Sequence, residues 1–402
     1  MNIIIVNDFA YVNGGAGVVA INTAKSLAAR GHTVILFTAV GPIGDELKDI
    51  KSLKVICLNQ NDILNDTNRV RAIIQGIWNR KSQCVMSRLL KSMSPDNTII
   101  HVHTLSKAIS ASIIPVIKKR NFKIIFHVHD YGLVCPNMGF FNYIKKEICY
   151  KKAMSIDCML CNCDSRNYGH KLWRLLRQLV QIKFANVNQN IDAYIFLNRF
   201  SKNIIAKYIT NKQSYILPNT VNILRQDRVK AEDNDIFLFI GRLSPEKNPV
   251  IFAEVAYRLG IKSVFVGSGI CEKDIMKVNP NAQITGWLSS DDVKRYLKKA
   301  RVLIFPSLWY EGQPLTILEA LAYGVPVIVS DACAGRESIN NGINGLWFNS
   351  NDEVDLLQKI KILQENRVVH DMSINGYMWY WNQDYNMHKY TDKLESIYQT
   401  VL

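Results

Sequence analysis

Short apolar runs alternate with segments of helical spacing along the first half of the chain. The runs predict strands at residues 3–6, 33–37, 99–103, 123–129, 191–197 and 214–218. A glycine loop at residues 12–20 opens a helix that is predicted to end near Arg30. This strand–helix–strand order predicts a doubly wound parallel sheet, and the glycines do not form the G-x-G-x-x-G pattern typical of nicotinamide binding.

A second series of strands begins after a polar segment. Residues 219–234 lack regular periodicity and predict a linker. Further strands are predicted at residues 236–240, 263–269, 284–288, 301–307 and 325–329, and a last helix at about residues 385–401. The pattern therefore predicts a first domain at 1–218, a linker at 219–234, a second domain at 235–380 and a C-terminal helix at 381–402.

Composition agrees with a folded protein of more than one core. The 402 residues are 48% hydrophobic and 21% charged, and no apolar run approaches the roughly 18 to 20 residues that span a bilayer. The first residues, M-N-I-I-I-V-N-D, lack a basic start and a cleavage site. They predict a strand rather than a signal peptide, and hence a cytoplasmic location.

Positive charge is concentrated in the first half. Residues 1–220 hold 29 Lys and Arg against 12 Asp and Glu, a net charge of +17. Residues 221–402 hold 20 against 22, a net charge of −2. A basic half indicates nucleic acid, anionic lipid or a phosphorylated acceptor as a partner.

Two segments, residues 69–93 and 170–184, combine this charge with Leu, Ile and Trp at helical spacing. A basic amphipathic helix with Trp is typical of docking on an anionic membrane surface. The alternative is an ordinary domain helix that packs its apolar side inward and keeps its cations in water.

Residues 311–329, E-G-Q-P-L-T-I-L-E-A-L-A-Y-G-V-P-V-I-V, predict a loop, a helix from about Thr316 capped by Gly324, and a buried strand. The free N–H groups of a helix N-terminus suit a phosphate. Glu311 and Glu319 would then bind hydroxyls on either side of a diphosphate. The spacing of two carboxylates alone also fits a solvated helix face.

This segment resembles glycosyltransferase family 4, whose members are retaining, nucleotide-sugar-dependent enzymes. The E-x7-E pair Glu311 and Glu319 carries the resemblance, together with A-L-A-Y-G-V-P-V-I after it and a G-R-x-x-x-x-K match at Gly241, Arg242 and Lys247. The resemblance implies the GT-B fold, an α/β architecture of two Rossmann-like doubly wound domains facing each other across a cleft. It also implies that the C-terminal helix crosses back to the first domain.

The resemblance assigns roles to particular residues. Arg242 and Lys247 would neutralise the donor diphosphate, Glu319 would hold the ribose, and Glu311 and His129 would be catalytic, acting on the transferred sugar. Further donor contacts would come from Gly14, Gly15, Gln313, Pro314, Leu315 and Thr316. Surface cations are the alternative for Arg242 and Lys247, and a tight turn is the alternative for the glycines.

Two H-x-H pairs end predicted strands. The run H-V-H-D-Y-G at residues 127–132 matches the family's cleft motif, which favours His129, with His127 and Asp130 as secondary candidates. His101 and His103 are predicted to be buried and structural.

Five of the nine cysteines fall between residues 135 and 163. The spacing of Cys149, Cys158, Cys161 and Cys163 is compatible with a structural zinc site, and small apolar side chains are the alternative. The resemblance itself implies neither a metal nor another cofactor.

The predicted function is retaining transfer of a hexosyl-type sugar from a UDP- or GDP-sugar to a hydroxyl of a lipid-linked glycan. The setting would be bacterial capsule, O-antigen or lipopolysaccharide synthesis, with the protein peripheral on the inner face of the plasma membrane. The alternatives are a nucleotide-sugar epimerase or glycogen-type phosphorylase of the same fold, and a basic nucleic-acid-binding protein. The chain has no recognisable nucleic-acid motif, so nucleic acid is not predicted as a partner.

Overall fold

The computed structural model describes residues 1–209, 212–221, 223–383 and 385–402. The chain divides into two compact units. The first unit comprises Met1–Met138, Lys151–Thr220 and Asn386–Leu402, and the second comprises Gly139–Tyr150 and Val221–Tyr385. The domain boundaries at 218, 234 and 380 stay predictions.

Most strands of the described residues are separated by helices. The strands are β1 (Asn2–Val6), β2 (Thr33–Thr38), β3 (Leu53–Cys57), β4 (Thr98–Val102), β5 (Lys123–Val128), β6 (Phe141–Asn142), β7 (Glu147–Ile148), β8 (Ala193–Phe196), β9 (Gln213–Ile216), β10 (Ile236–Ile240), β11 (Ser263–Val266), β12 (Gln283–Ile284), β13 (Ala300–Phe305), β14 (Val327–Ser330) and β15 (Gly345–Phe348). The α-helices are α1 (Gly14–Ala29), α2 (Arg69–Ile77), α3 (Arg80–Leu89), α4 (Ile113–Lys118), α5 (Ile156–Leu160), α6 (Tyr168–Lys183), α7 (Val187–Asn190), α8 (Arg199–Ile205), α9 (Pro249–Leu259), α10 (Glu272–Val278), α11 (Ser290–Lys298), α12 (Leu315–Tyr323), α13 (Glu353–Ile362), α14 (Asn366–Trp381) and α15 (Met387–Val401).

The first unit contains a seven-stranded parallel sheet in the order β3-β2-β1-β4-β5-β8-β9. Ile3 pairs with Val34 on one side and with Ile99 on the other. Helices cover both faces of such a sheet, so its central strands are continuous apolar runs. The strand order reverses between β1 and β4, which makes their carboxyl ends a topological switch point.

The second unit contains a six-stranded parallel sheet in the order β12-β11-β10-β13-β14-β15. Its two faces bury separate apolar clusters, one around Phe239 and Phe252 and the other around Leu238 and Leu318. The switch point of this sheet lies between β10 and β13. The loops after these two strands are therefore where a ligand is expected.

Helix α15 packs on α1 within the first unit. Tyr390, Leu394 and Tyr398 are buried in the same apolar cluster as β1 and α1. At the edge of this contact, the Arg30 guanidinium donates hydrogen bonds to Asp392 and Glu395.

One local prediction is wrong. Residues 69–93 do not form one helix, because the helical segment is broken at Trp78 and Asn79 into α2 and α3. Asn79 has extended backbone angles, and its side chain caps α3 by accepting a hydrogen bond from the Ser82 N–H. The edge strands β3 and β15 were also not predicted.

Candidate active site

Lys247 and Glu311 meet at the switch point of the second sheet. Lys247 ends the turn Pro245–Lys247 after β10, and Glu311 lies in the loop after β13. The Lys247 Nζ is 2.5 Å from Glu311 Oε1, and the Ser307 hydroxyl donates to the same oxygen at 2.6 Å. Phe305 and Trp309 place their rings 5.4 and 5.6 Å from the ammonium. The ion pair is thus held by two loops and by aromatic faces.

The backbone of Glu311 is unusual. Its φ of +54° lies in the left-handed region, which costs a non-glycine residue about 1 kcal/mol or more. Residues held in this way cluster at functional sites because the surrounding structure must compensate for the strain. The geometry therefore supports a specific role for this carboxylate.

Arg242 sits in a different environment from Lys247. Its side chain is 62% exposed, and its guanidinium is 3.8 Å from the buried carboxylate of Glu246. Glu246 in turn accepts a hydrogen bond from the Ser244 hydroxyl at 2.8 Å. Glu246 was not predicted, although it lies four residues after Arg242 within the motif. It anchors the loop and leaves the guanidinium open to solvent.

Glycines allow the loops after β10 and β11 to touch through their backbones. Gly241 and Gly267 have φ of +152° and +140°. A Cβ on Gly267 would collide with the Gly241 carbonyl, and one on Gly269 with the Leu243 carbonyl. Only glycine permits this approach beside Arg242.

Helix α12 begins at Leu315, one residue before the predicted start. Its N-cap is Pro314, which makes no side-chain capping hydrogen bond. Gln313, Pro314, Leu315 and Thr316 are all half-buried. The first N–H groups of a helix have no acceptor within the helix, so this end offers donors to an anion.

Glu319 lies one turn into α12 and is half-buried. Burial raises the pKa of its carboxyl above the ordinary value, and the nearby Lys294 ammonium opposes this rise. Lys294 is a further neighbour that was not predicted.

His129 follows β5 in the first unit and is half-buried. Its Nε2 is 2.9 Å from Nδ1 of His103, and burial lowers the pKa of His129 to about 3. The imidazole is therefore neutral near pH 7. His101, His103 and His127 are buried beside it, whereas Asp130 is exposed and accepts a hydrogen bond from the Gly132 N–H.

Gly14 and Gly15 form the exposed first turn of α1, next to the switch point of the first sheet. Gly14 has a φ of +78°, and a Cβ at this position would have no atom within 4 Å. Backbone conformation, rather than close packing, explains this glycine.

The cysteine-rich segment surrounds a lysine. Lys171 is buried, and its Nζ is 3.2 Å from Cys163 Sγ and 3.7 Å from Cys158 Sγ. None of the nine cysteines, all of which the structure describes, forms a disulfide. A positive charge between two of the four predicted zinc ligands disfavours the zinc hypothesis there.

The two basic segments meet in the first unit. Helices α2 and α6 pack through Gly76 and Trp173, and the Trp173 indole donates to the Ile73 carbonyl at 3.2 Å. They line a cavity of about 550 Å³, the cationic groove, whose basic lining residues are Arg69, Lys107, Arg166, Arg174 and Arg177.

Like charges crowd this groove. Burial, with a smaller contribution from the neighbouring Arg174, lowers the pKa of Arg177 to about 10, although Asp130 opposes the shift. Burial also lowers the pKa of Lys107, the nearby Asp130 carboxylate opposes this shift, and Arg174 and Arg177 add to it. Cations that repel one another in a partly desolvated site are stabilised by an anionic ligand.

The exterior of α6 is apolar. Its buried side chains include Lys171, Arg177 and Gln178, whereas Leu172, Leu176 and Leu179 are exposed by 51%, 49% and 42%. Val70, Ile73 and Ile74 of α2 are exposed as well. This is the reverse of an ordinary domain helix, and it argues against the inward-packing alternative.

Two family models together match most of the chain. The model described as Glycosyltransferase Family 4 matches residues 13–225, more than half of the 402 residues. The chain belongs to glycosyltransferase family 4. The model described as Glycosyl transferases group 1 matches residues 221–379. The family predicted from the E-x7-E pair is thus confirmed.

Relatives of this glycosyltransferase family 4 chain include two bacterial enzymes. The UDP-Gal:alpha-D-GlcNAc-diphosphoundecaprenol alpha-1,3-galactosyltransferase of Escherichia coli is 30% identical over 51% of this chain and 59% of its own length. The N,N'-diacetylbacillosaminyl-diphospho-undecaprenol alpha-1,3-N-acetylgalactosaminyltransferase of Campylobacter jejuni is 25% identical over 48% of this chain and 55% of its own. The matches thus span little more than half of each relative.

Solved structures confirm the predicted fold class. Sucrose-phosphate synthase from Thermosynechococcus elongatus aligns with a TM-score of 0.73 at 15% identity, covering 100% of this chain and 98% of its own. HepE of Anabaena in complex with UDP aligns at 0.69 and 14% identity over 100% of both chains. The two parallel α/β sheets are those of the GT-B class.

Across the part of the chain that the structure describes, no helix combines the length and the apolar character needed to span a bilayer.

Proposed function

We propose that this glycosyltransferase family 4 protein transfers a sugar from a UDP- or GDP-sugar to a hydroxyl of a lipid-linked glycan, with retention of the α-configuration. The observation that carries the proposal is the Lys247–Glu311 pair at the switch point of the second sheet, beside the N-terminus of α12. Parallel sheets bind ligands at this position. Membership in the family adds independent support.

The leaving group of such a reaction is a nucleoside diphosphate, so catalysis must stabilise negative charge that grows on phosphate. Arg242 is exposed and supplies a fork of donors, Lys247 supplies a point charge, and the first N–H groups of α12 add donors. The Glu319 carboxylate would accept hydrogen bonds from the ribose hydroxyls. Gly14 and Gly15, at the N-terminus of α1, are proposed as further donor contacts.

Glu311 and His129 are proposed to act on the transferred sugar. The Glu311 carboxylate accepts hydrogen bonds from Lys247 and Ser307, so its position is fixed before substrate binds. His129 is neutral at physiological pH, because burial lowers its pKa to about 3, and it can accept or donate a hydrogen bond without adding charge. A front-face mechanism, in which the leaving phosphate takes the acceptor proton, needs no further carboxylate.

The cationic groove is proposed as the site for the acceptor. Its five basic residues suit a diphosphate, and its apolar lining and the exposed leucines of α6 suit a polyprenyl chain. The two relatives act on undecaprenol-diphosphate-linked sugars by name. A bacterial surface polysaccharide such as capsule, O-antigen or lipopolysaccharide would be the product, made at the inner face of the plasma membrane.

A two-part assay tests the proposal. Thermal stability is measured with UDP, GDP, dTDP and their sugars, and transfer is then measured from the stabilising donor to undecaprenyl-diphosphate-linked saccharides. Stabilisation by one nucleotide and acceptor-dependent sugar transfer are expected. Conversion of the donor to an epimer without acceptor would favour the epimerase, and stabilisation by none of these compounds would contradict the donor site.

A further inference from the structure

Three buried histidines converge in the first unit at the carboxyl ends of β4 and β5. His101, His103 and His127 form the histidine cluster. One ring nitrogen of each residue lies within 4.8 Å of one ring nitrogen of each of the others. The three side chains are 0%, 2% and 0% exposed. Among the residues that the structure describes, this is the set of His, Cys, Asp and Glu side chains that converges closely enough to hold a metal ion.

Four nitrogens of the cluster have no hydrogen-bond partner. They are Nε2 of His101, Nε2 of His103 and both ring nitrogens of His127. A buried polar atom without a partner costs about 1–3 kcal/mol. These four atoms belong to three adjacent buried rings, which indicates a shared ligand rather than four separate defects.

The opposite nitrogens are engaged in a pattern that metal sites use. His101 Nδ1 is 2.7 Å from the hydroxyl of Tyr398, and His103 Nδ1 is 2.9 Å from His129 Nε2. A metal-bound imidazole donates its second N–H to a neighbouring acceptor, which fixes its tautomer and orientation. In both residues this leaves Nε2 as the coordinating atom.

The ligand type of the cluster selects the kind of ion. The three side chains offer imidazole nitrogens in a site closed to solvent. Neutral imidazoles favour zinc, copper, nickel or iron over calcium and magnesium.

We propose that His101, His103 and His127 bind one zinc ion through Nε2 of His101, Nε2 of His103 and one nitrogen of His127. Tetrahedral zinc holds its nitrogen ligands at about 2.0–2.1 Å, so the rings draw together on binding. Three protein ligands leave one position of the ion open. On zinc binding, the Nδ1–H of His103 donates a hydrogen bond to Nε2 of His129. The proton of the neutral His129 ring then lies on its Nδ1.

Metal titration of the full chain tests this site. The protein is stripped with a chelator, dialysed and titrated with Zn²⁺ by calorimetry and with Co²⁺ by visible absorption. One saturable equivalent per chain is expected. His127→Gln should weaken binding by at least about tenfold, and Tyr398→Phe, which removes the acceptor of His101, by about 10- to 100-fold at unchanged stoichiometry.

Two controls separate this site from other metal ligands. His370→Gln removes an exposed histidine of the second unit, which is hydrogen-bonded to Glu232, and should change nothing. Cys158→Ser tests the cysteine-rich segment and should also leave binding intact. Circular dichroism and melting curves show whether each variant is folded.

The cobalt spectrum of the wild-type protein gives an answer even if His127→Gln does not fold. Four-coordinate d–d bands without a thiolate charge-transfer band support the histidine cluster. A thiolate band, loss of binding in Cys158→Ser, unchanged affinity in folded His127→Gln, or no saturable binding by the wild type would each overturn the proposal.

Discussion

At the scale of single residues, the Glu311 carboxylate is the most constrained group of the candidate active site. One of its oxygens accepts hydrogen bonds from both Lys247 and Ser307, and the backbone of the residue lies in the left-handed region. Glu311→Gln keeps an acceptor for both donors but removes the charge, so we expect the protein to remain folded. Turnover should fall by about 100-fold, the usual effect of losing one fixed electrostatic contact to a transition state.

Steady-state transfer assays and melting curves check this expectation. Ser307→Ala is the matched variant, because it removes one hydrogen bond to Glu311 and keeps the carboxylate. Its loss of turnover should be smaller. A fully active Glu311→Gln enzyme would remove Glu311 from the site.

Glu319 should give nucleotide binding a pH dependence whose sign follows from the burial of its carboxyl. Burial raises the pKa of its carboxyl, and Lys294 opposes the rise. If the ionised carboxylate accepts hydrogen bonds from the ribose hydroxyls, nucleotide affinity is highest above the raised pKa of Glu319 and falls as the pH decreases through it. The fall therefore begins above the ordinary carboxyl pKa of 4.5. Lys294→Met should move the loss to higher pH.

Calorimetry of nucleoside diphosphate binding across the acidic range measures this effect. Glu319→Gln should bind more weakly at pH 7 and lose the dependence. A pH profile that is the same in wild-type and Glu319→Gln proteins would assign the titration to another group.

At the scale of elements, α6 is the helix whose apolar face is open. Leu172 and Leu176 are about half exposed, so each makes only part of a buried leucine's contribution to the core. The double change Leu172→Ser and Leu176→Ser should lower the free energy of unfolding by about 1–2 kcal/mol and leave the protein folded. It should reduce binding to phosphatidylglycerol vesicles by tenfold or more, at about 1 kcal/mol per leucine.

Vesicle co-sedimentation and urea unfolding measure the two quantities. Leu224→Ser is the matched control, since Leu224 is 86% exposed but lies in the second unit. Its effect on vesicle binding should be negligible. If the α6 variant bound vesicles as tightly as the wild-type protein, another surface would be responsible for membrane docking.

Buried strands can be predicted from the sequence, whereas the break between two helices cannot. Strands such as β1, β4 and β13 could be predicted because both faces of a parallel sheet are buried, which leaves a continuous apolar run. The break at Asn79 was missed because helical periodicity continues across it. The cap that causes the break depends on backbone angles that spacing does not encode.

The candidate site divides in the same way. The motif residues Arg242, Lys247, Glu311 and Glu319 could be proposed from the sequence because each falls in a recognisable local pattern. The Lys247–Glu311 contact joins residues 64 positions apart, and no local pattern specifies it. Likewise, the buried Lys171 among cysteines follows from the path of α6 rather than from cysteine spacing.

At the scale of the whole molecule, the last helix completes the core of the first unit. Leu394 is fully buried against this core, whereas Glu395 lies at its edge and binds Arg30 and His32. Leu394→Ala should therefore cost about 2–5 kcal/mol of unfolding free energy. Glu395→Gln should cost no more than about 1 kcal/mol, because both of its partners are partly exposed.

Urea unfolding monitored by circular dichroism measures both variants against wild type. Equal effects would mean that α15 is held by its charges, and an effect of Leu394→Ala below about 0.5 kcal/mol would mean that α15 is not part of the core.

Charge and apolar surface together predict how the molecule meets a membrane. Residues 1–220 carry +17 and residues 221–402 carry −2, and the exposed leucines lie on the positive part. Near an anionic surface each cation contributes about 1 kcal/mol, but this attraction is screened within about 10 Å at 0.1 M salt and about 3 Å at 1 M.

Binding to phosphatidylglycerol vesicles should therefore fall at least tenfold between these salt concentrations, while binding to phosphatidylcholine vesicles should be weak throughout. The residual binding at 1 M salt should disappear in the Leu172 and Leu176 double variant, because only apolar contact remains there. Salt-independent binding, or equal binding to both lipids, would contradict a docking surface in which charge attracts and leucines insert.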